Sequence, residues 1–217
     1  MCRFPFPLLM MTLALSACTT YDSDRPITPI RSGQNLSDIW DNHYRFFIGQ
    51  PNPALFSVCH SMSCYRISEV SLSEQDWSGI LNLFNKTTNA HEERQAIQQA
   101  IANLETLIGK QIGSEKDLAR NQIANNRFGQ LDCVDEATNT SVYLRMLEKA
   151  GVLKWHTSAS RTSRGIFQGQ APHNTATIID TQTHTRYAVD SWFYGNGEMP
   201  VIIYLDDWKA GWEPESN

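Results

Sequence analysis

Three residues of this 217-residue chain have the types and the arrangement for nucleophilic chemistry: Cys133, His173 and Asp190. Cys133 lies in Phe128-Gly129-Gln130-Leu131-Asp132-Cys133-Val134-Asp135-Glu136-Ala137, and the apolar spacing from Val134 to Ala150 predicts a helix stopped by Gly151. Asp132 is a fitting N-cap, and Asp135 and Glu136 fall in the first turn, so the cysteine stands where the helix begins. Free backbone N–H groups and the dipole at that end favour a thiolate, the nucleophilic form. An imidazole that accepts the thiol proton and a carboxylate that orients the imidazole complete such a site. His173 opens the β-branched run Thr175-Ala176-Thr177-Ile178-Ile179, and Asp190 stands in Arg186-Tyr187-Ala188-Val189-Asp190-Ser191-Trp192-Phe193. Residues 181–185 join the two strands as a hairpin. Closed around 182–184, the hairpin sets Asp190 opposite residues near 176, so contact with His173 requires a stagger of one or two residues. Structural readings stand beside the chemical one: Cys133 as packing, Asp190 as a buried hydrogen-bonding carboxylate, and His156 (on an expected strand) or His184 (in a turn) as the base instead of His173.

The elements that must position these groups follow from periodicity and punctuation. Ile97, Ile101, Leu104, Ile108 and Ile112 form one stripe, so residues 90–112 are an amphipathic helix whose apolar face is core. Ser73 with Asp76 opens a helix reaching Phe84, and Ser114 is read as the cap of another over 115–125. Residues 36–48 read as a short helix stopped by Pro51 and Pro53, and 64–70 as a strand by its alternation. Strands are expected over 152–158 and 201–205, and a polar surface loop over 160–172. Arg161 and Arg164 in that loop are candidates for binding an acidic substrate group, or are simply solvated. Trp192 and Phe193 are read as core or as a cleft wall, and Asp180, Asp206 and Asp207 as turn residues.

Composition bounds the class. With 19% charged and 41% hydrophobic residues and a net charge of -5, the chain has enough apolar mass for one packed domain. There is no Lys/Arg block or basic stripe, which argues against a nucleic-acid partner. At the N-terminus, Arg3 precedes an apolar stretch over 4–14 that suits a signal peptide and is too short to span a bilayer. Leu15-Ser16-Ala17-Cys18 then resembles a bacterial lipobox, in which the cysteine is lipidated. The expected division is therefore a signal peptide over 1–17, lipidated Cys18 and a flexible tether over 18–35, and a single domain over 36–217. Thr19, where an inner-membrane retention signal would place Asp, tips the expected location to the outer membrane, facing the periplasm. Membrane contact is then through the N-terminal lipid. In that oxidising compartment Cys59 and Cys64 are read as a disulfide, or alternatively as metal ligands with His60, while Cys133 is left unpaired. No resident metal or organic cofactor is implied.

Asp132-Cys133-Val134-Asp135-Glu136-Ala137, His173-Asn174-Thr175-Ala176 and Tyr187-Ala188-Val189-Asp190-Ser191-Trp192 together resemble the transglutaminase-like branch of the papain-type cysteine proteinases. The likeness covers about 128–192, with Thr175 standing where that family often has an aromatic residue. It implies an α+β, papain-like (transglutaminase-like) fold with N-terminal helices and a small antiparallel sheet packed on the nucleophile helix. It also implies Cys133 as nucleophile, His173 as proton carrier, Asp190 as orienting carboxylate, and Gln130 beside the Cys133 backbone N–H as an oxyanion donor. The implied activity is thiol-dependent acyl chemistry on a peptide or protein amide in the cell envelope, as a cysteine peptidase or amidohydrolase. Two alternatives stand beside it. A peptidoglycan endopeptidase of the NlpC/P60 kind also starts its helix with Asp-Cys, although Val134-Asp135-Glu136 replaces the usual Ser-Gly-Phe. A non-catalytic envelope lipoprotein would use the fold for binding alone.

Overall fold

A computed structural model describes residues 49–121, 128–165 and 169–215. The lipobox with Cys18, the tether and the helix expected over 36–48 lie outside the described residues. In chain order the elements are β1 (Phe56–His60), β2 (Arg66–Val70), α1 (Glu74–Asn82), α2 (Ala90–Ile112), α3 (Cys133–Lys149), β3 (His156–Arg164), β4 (His173–Asp180), β5 (Arg186–Asp190), β6 (Val201–Tyr204) and α4 (Leu205–Lys209). β1 and β2 form a two-stranded antiparallel sheet, and β3-β4-β5-β6 a four-stranded antiparallel meander. Both sheets are antiparallel and the two long helices precede the larger one, which defines an α+β fold.

The periodicity of α2 has the expected consequence: Ile97, Ile101, Leu104 and Ile108 are almost fully buried. They share one cluster with Phe56 and Val58 of β1, Tyr143 and Leu147 of α3, Ala176 and Ile178 of β4, and Val189 of β5. Each such apolar side chain contributes roughly 1.5–3 kcal/mol on burial. α2 ends at Gly113, whose φ of 78° is the left-handed conformation that favours glycine. A smaller cluster of Ala188, Trp192, Phe193, Leu205 and Trp208 has Cys133 packed against it. Among the described residues no helix is long and apolar enough to cross a membrane.

Four local expectations are corrected. No helix follows Ser114 through residue 121: the segment turns instead, Arg120 is left-handed at φ 58°, and the Asp117 carboxylate accepts the Leu131 N–H at 2.8 Å. Residues 122–125 of that expected helix lie outside the described residues. The polar stretch read as loop from 160 is strand β3 up to Arg164, paired with β4 through a register shift between Ala159 and Thr162. β3 is an edge strand, where polar side chains meet water while their backbone still pairs. β1 was not expected, because its Ser57, Cys59 and His60 hide a fully buried strand behind polar residue types. Asp206 and Asp207 are the first turn of α4 rather than turn residues.

Candidate active site

α3 begins at Cys133 because Asp132 caps it, accepting the Val134 and Asp135 N–H groups at 3.0 and 3.1 Å. Asp135 reaches back to the Asp132 N–H at 3.3 Å, completing a capping box. Both carboxylates also grip the β1–β2 loop. Asp135 accepts the N–H groups of Met62 (2.8 Å) and Cys64 (2.6 Å), and Asp132 accepts the Ser63 N–H and hydroxyl, each at 2.8 Å. Three consecutive N–H groups are presented in this way because Ser61, Met62, Ser63 and Cys64 all have φ between 54° and 69°. Four non-glycine residues in that region store strain, on the order of 1 kcal/mol each. A Cys59–Cys64 disulfide closes the loop, as expected, and Asn139 of α3 bonds both the N–H and the carbonyl of Cys59. With their sulfurs joined to each other, the two cysteines do not serve the metal alternative, and the His60 ring nitrogens pair with Ser61 and Ser68.

The second support is the β4–β5 hairpin. Ala176 pairs with Val189. Continuing that register sets Asp190 across from Thr175, and His173 stands two residues further on, with its side chain on the same face. A diagonal neighbour two residues along is within reach of a long side chain. His173 Nε2 lies 2.6 Å from Asp190 Oδ2. The same oxygen accepts the Trp208 indole N–H at 2.7 Å, and Oδ1 accepts the Trp192 backbone N–H at 3.3 Å. The imidazole is enclosed by aromatic rings, with centroids at 4.5 Å (Trp192), 5.4 Å (Phe193) and 5.4 Å (Trp208).

Burial alone would lower the basicity of His173. The hydrogen bond to Asp190, the interaction with the Cys133 side chain and the charges of both outweigh it, so the imidazole is pushed up to about 9. Held there, His173 is an imidazolium at neutral pH. Its Nδ1 is buried and has no hydrogen-bond partner among the described residues. Cys133 is a free, half-buried cysteine, and Asn174 Nδ2 donates to its sulfur at 3.6 Å.

Beneath this site lie four buried carboxyl groups. Burial raises Glu105 to about 7, Asp117 to about 6 and Asp135 to about 7. It raises Glu136 well above the usual carboxylate range, helped by the neighbouring charges of Glu105 and Asp117. Such a group of acids is accommodated by holding protons rather than by ionising fully.

The remaining candidates divide. Trp192 lies against the His173 ring, with its indole N–H on the Asn121 carbonyl at 2.9 Å. Arg164 is buried in β3 rather than on a loop; it bonds the Trp208 and Trp212 carbonyls and lies over the Trp208 ring. Arg161 is exposed on β3 and bonds the Thr138 hydroxyl. The Gln130 amide nitrogen donates to the Lys116 and Gly129 carbonyls, both at 3.0 Å, and its oxygen accepts from Leu118 and Asn121. His156 is buried against Glu93 at 2.8 Å, and His184 sits in the β4–β5 turn at φ 58°. Sequence reasoning missed the bond from Trp208 to Asp190 and the contact of Asn174 with the sulfur. The acidic pair Asp206-Asp207 after an apolar strand was a legible helix-start signal that would have placed Trp208 on a helix; an asparagine beside a histidine carries no comparable signal. Comparison with family models, curated proteins and solved structures finds no match to this chain.

Proposed function

We propose that this chain is a thiol-dependent acyl-transfer enzyme of transglutaminase-like, papain-type architecture, acting as a cysteine peptidase or amidohydrolase in the cell envelope. The observation that carries the reading is the His173 imidazole. Its Nε2 is held by Asp190, its buried Nδ1 has no hydrogen-bond partner among the described residues, and its neighbour Asn174 touches the sulfur of the free thiol at the first residue of a capped helix. In this reading the Cys133 sulfur attacks an amide carbonyl carbon and the carbonyl π pair moves onto oxygen. The oxyanion collapses, the C–N bond breaks, and the leaving amine takes the proton held on His173, leaving an acyl group on Cys133 as a thioester. His173 then removes a proton from water as the water oxygen attacks the thioester carbon; the C–S bond breaks, the acid is released, and the thiolate and protonated imidazole are restored. Hydrolysis is favoured over transfer to another amine because water is abundant in the envelope.

The Cys59–Cys64 bridge supports an extracytoplasmic setting. In this proposal lipidated Cys18 tethers the domain to the outer membrane on its periplasmic side, and the substrates are peptides or proteins there. The test is acetylation of the full chain, in detergent, by p-nitrophenyl acetate followed by intact mass. Cys133 should react faster in the folded chain than in the same chain in denaturant, read as p-nitrophenolate release and acetyl-Cys133, and Cys133→Ala should fold normally and keep only the slow lysine background. Equal rates for folded and denatured Cys133 would sink the proposal.

A further inference from the structure

We propose that Asn174 is a catalytic residue whose side-chain amide, together with the Cys133 backbone N–H, forms the oxyanion hole of this acyl transfer. The inference rests on the reading of Cys133 as nucleophile. Asn174 Nδ2 donates to the Cys133 sulfur at 3.6 Å. It carries two N–H bonds, so one hydrogen is free to turn to a second acceptor beside the sulfur. An oxyanion forms on the carbon bonded to that sulfur, one bond further out, within the span that a donor about 2.7–3.1 Å from the oxygen requires. As neighbours on β4, Asn174 and His173 leave the strand on opposite sides. The amide and the imidazole therefore approach the sulfur from different directions, so proton transfer and oxyanion binding do not compete for one position.

The Cys133 N–H supplies the other donor. The Asp132 carboxylate takes the Val134 and Asp135 N–H groups, and the Asp132 carbonyl takes that of Glu136. The Cys133 N–H has no acceptor among the described residues and lies at the positive end of α3. Gln130 is not the second donor, because both hydrogens of its amide are committed to backbone carbonyls. In the step itself the sulfur lone pair forms the S–C bond, the C=O π pair becomes the oxyanion, and the two N–H groups donate to it. When the C=O bond re-forms, the bond to the leaving group breaks and the hydrogen bonds weaken.

Two reactions of the same sulfur separate this role from simple thiol positioning. Acetylation by p-nitrophenyl acetate passes through an oxyanion and expels p-nitrophenolate. Alkylation by iodoacetamide displaces iodide at a saturated carbon and forms no oxyanion. In Asn174→Ala, and in Asn174→Leu, which keeps the side-chain volume, acetylation of Cys133 should slow roughly 10²–10³-fold, while alkylation stays close to the parent rate. If both reactions slow equally, Asn174 acts on the sulfur and the inference is overturned; if neither slows, it is overturned as well. Failure of the nucleophile reading would look different: the parent chain itself would acetylate no faster folded than denatured.

Discussion

In the proposed acyl transfer His173 carries the proton, and its state depends on one carboxylate oxygen shared with Trp208. Replacing Asp190 with Asn removes the charge and the strongest hydrogen bond to the ring. The His173 titration, followed by NMR of the imidazole, should then fall from about 9 towards the ordinary 6.5. Acyl transfer should drop by roughly 10²–10⁴ as the ring loses its orienting partner. An unchanged titration in that variant would mean Asp190 does not set the imidazole. Because the leaving amine needs the proton on His173, turnover of an amide substrate should also decline as pH rises past about 9. At this scale the pairing of His173 with Asp190 was legible, because a hairpin closed around 182–184 brings the two within a short stagger of each other. Asn174 and Trp208 were not, since an amide and an indole are read from sequence as polar surface and core.

At the scale of elements, the position of the sulfur depends on how firmly α3 begins. Asp132 ties three loop and helix N–H groups and one hydroxyl to that point. Asp132→Ala should therefore cost about 1–2 kcal/mol in urea unfolding, at the upper end for an N-cap. It should also speed hydrogen exchange in the first turn of α3; a loss confined to global stability, with protected first-turn amides, would refute the clamp. The long helices and the β4–β5 hairpin were readable because their periodicity and turns are local properties. The hairpin stagger came out at two residues, the far end of the range expected. What failed was set by tertiary contact. Ser160 and Arg161 lie in a strand because the neighbouring β4 pairs with β3, and residues 114–121 turn because Asp117 is drawn to the Leu131 N–H. The left-handed turn over Ser61–Cys64 is held by Asp132 and Asp135, about seventy positions away in the chain (|i−j| of 69 to 73). Gly129, with a φ of 73° and the Gly113 carbonyl 2.5 Å from where a Cβ would stand, marks the point where two loops meet.

For the molecule as a whole, buried ionisable groups make stability depend on pH in a stated direction. Glu105, Asp117 and Asp135 are raised to about 7, 6 and 7 from ordinary values of 4.5, 3.8 and 3.8. The folded chain thus holds protons that the unfolded chain has released, and this contribution is lost as pH rises through 6 to 7. His173, raised to about 9, contributes fully below 6.5 and loses its contribution as pH rises through 9. His60, lowered by burial and by Arg66, works the other way. The melting temperature should therefore fall between pH 5 and pH 9, by roughly 5 °C or more if the net change reaches about 2 kcal/mol. A melting temperature that rises over this interval would contradict the buried carboxyl cluster. The net charge of -5 did not foretell this, because it counts carboxylates without saying which are buried. The central claim is that Cys133 works with His173, and it is tested most directly by the iodoacetamide alkylation rate of Cys133 at pH 7 in the parent chain and in His173→Gln. A rate at least tenfold slower in the variant is predicted; equal rates in two folded proteins would contradict the account.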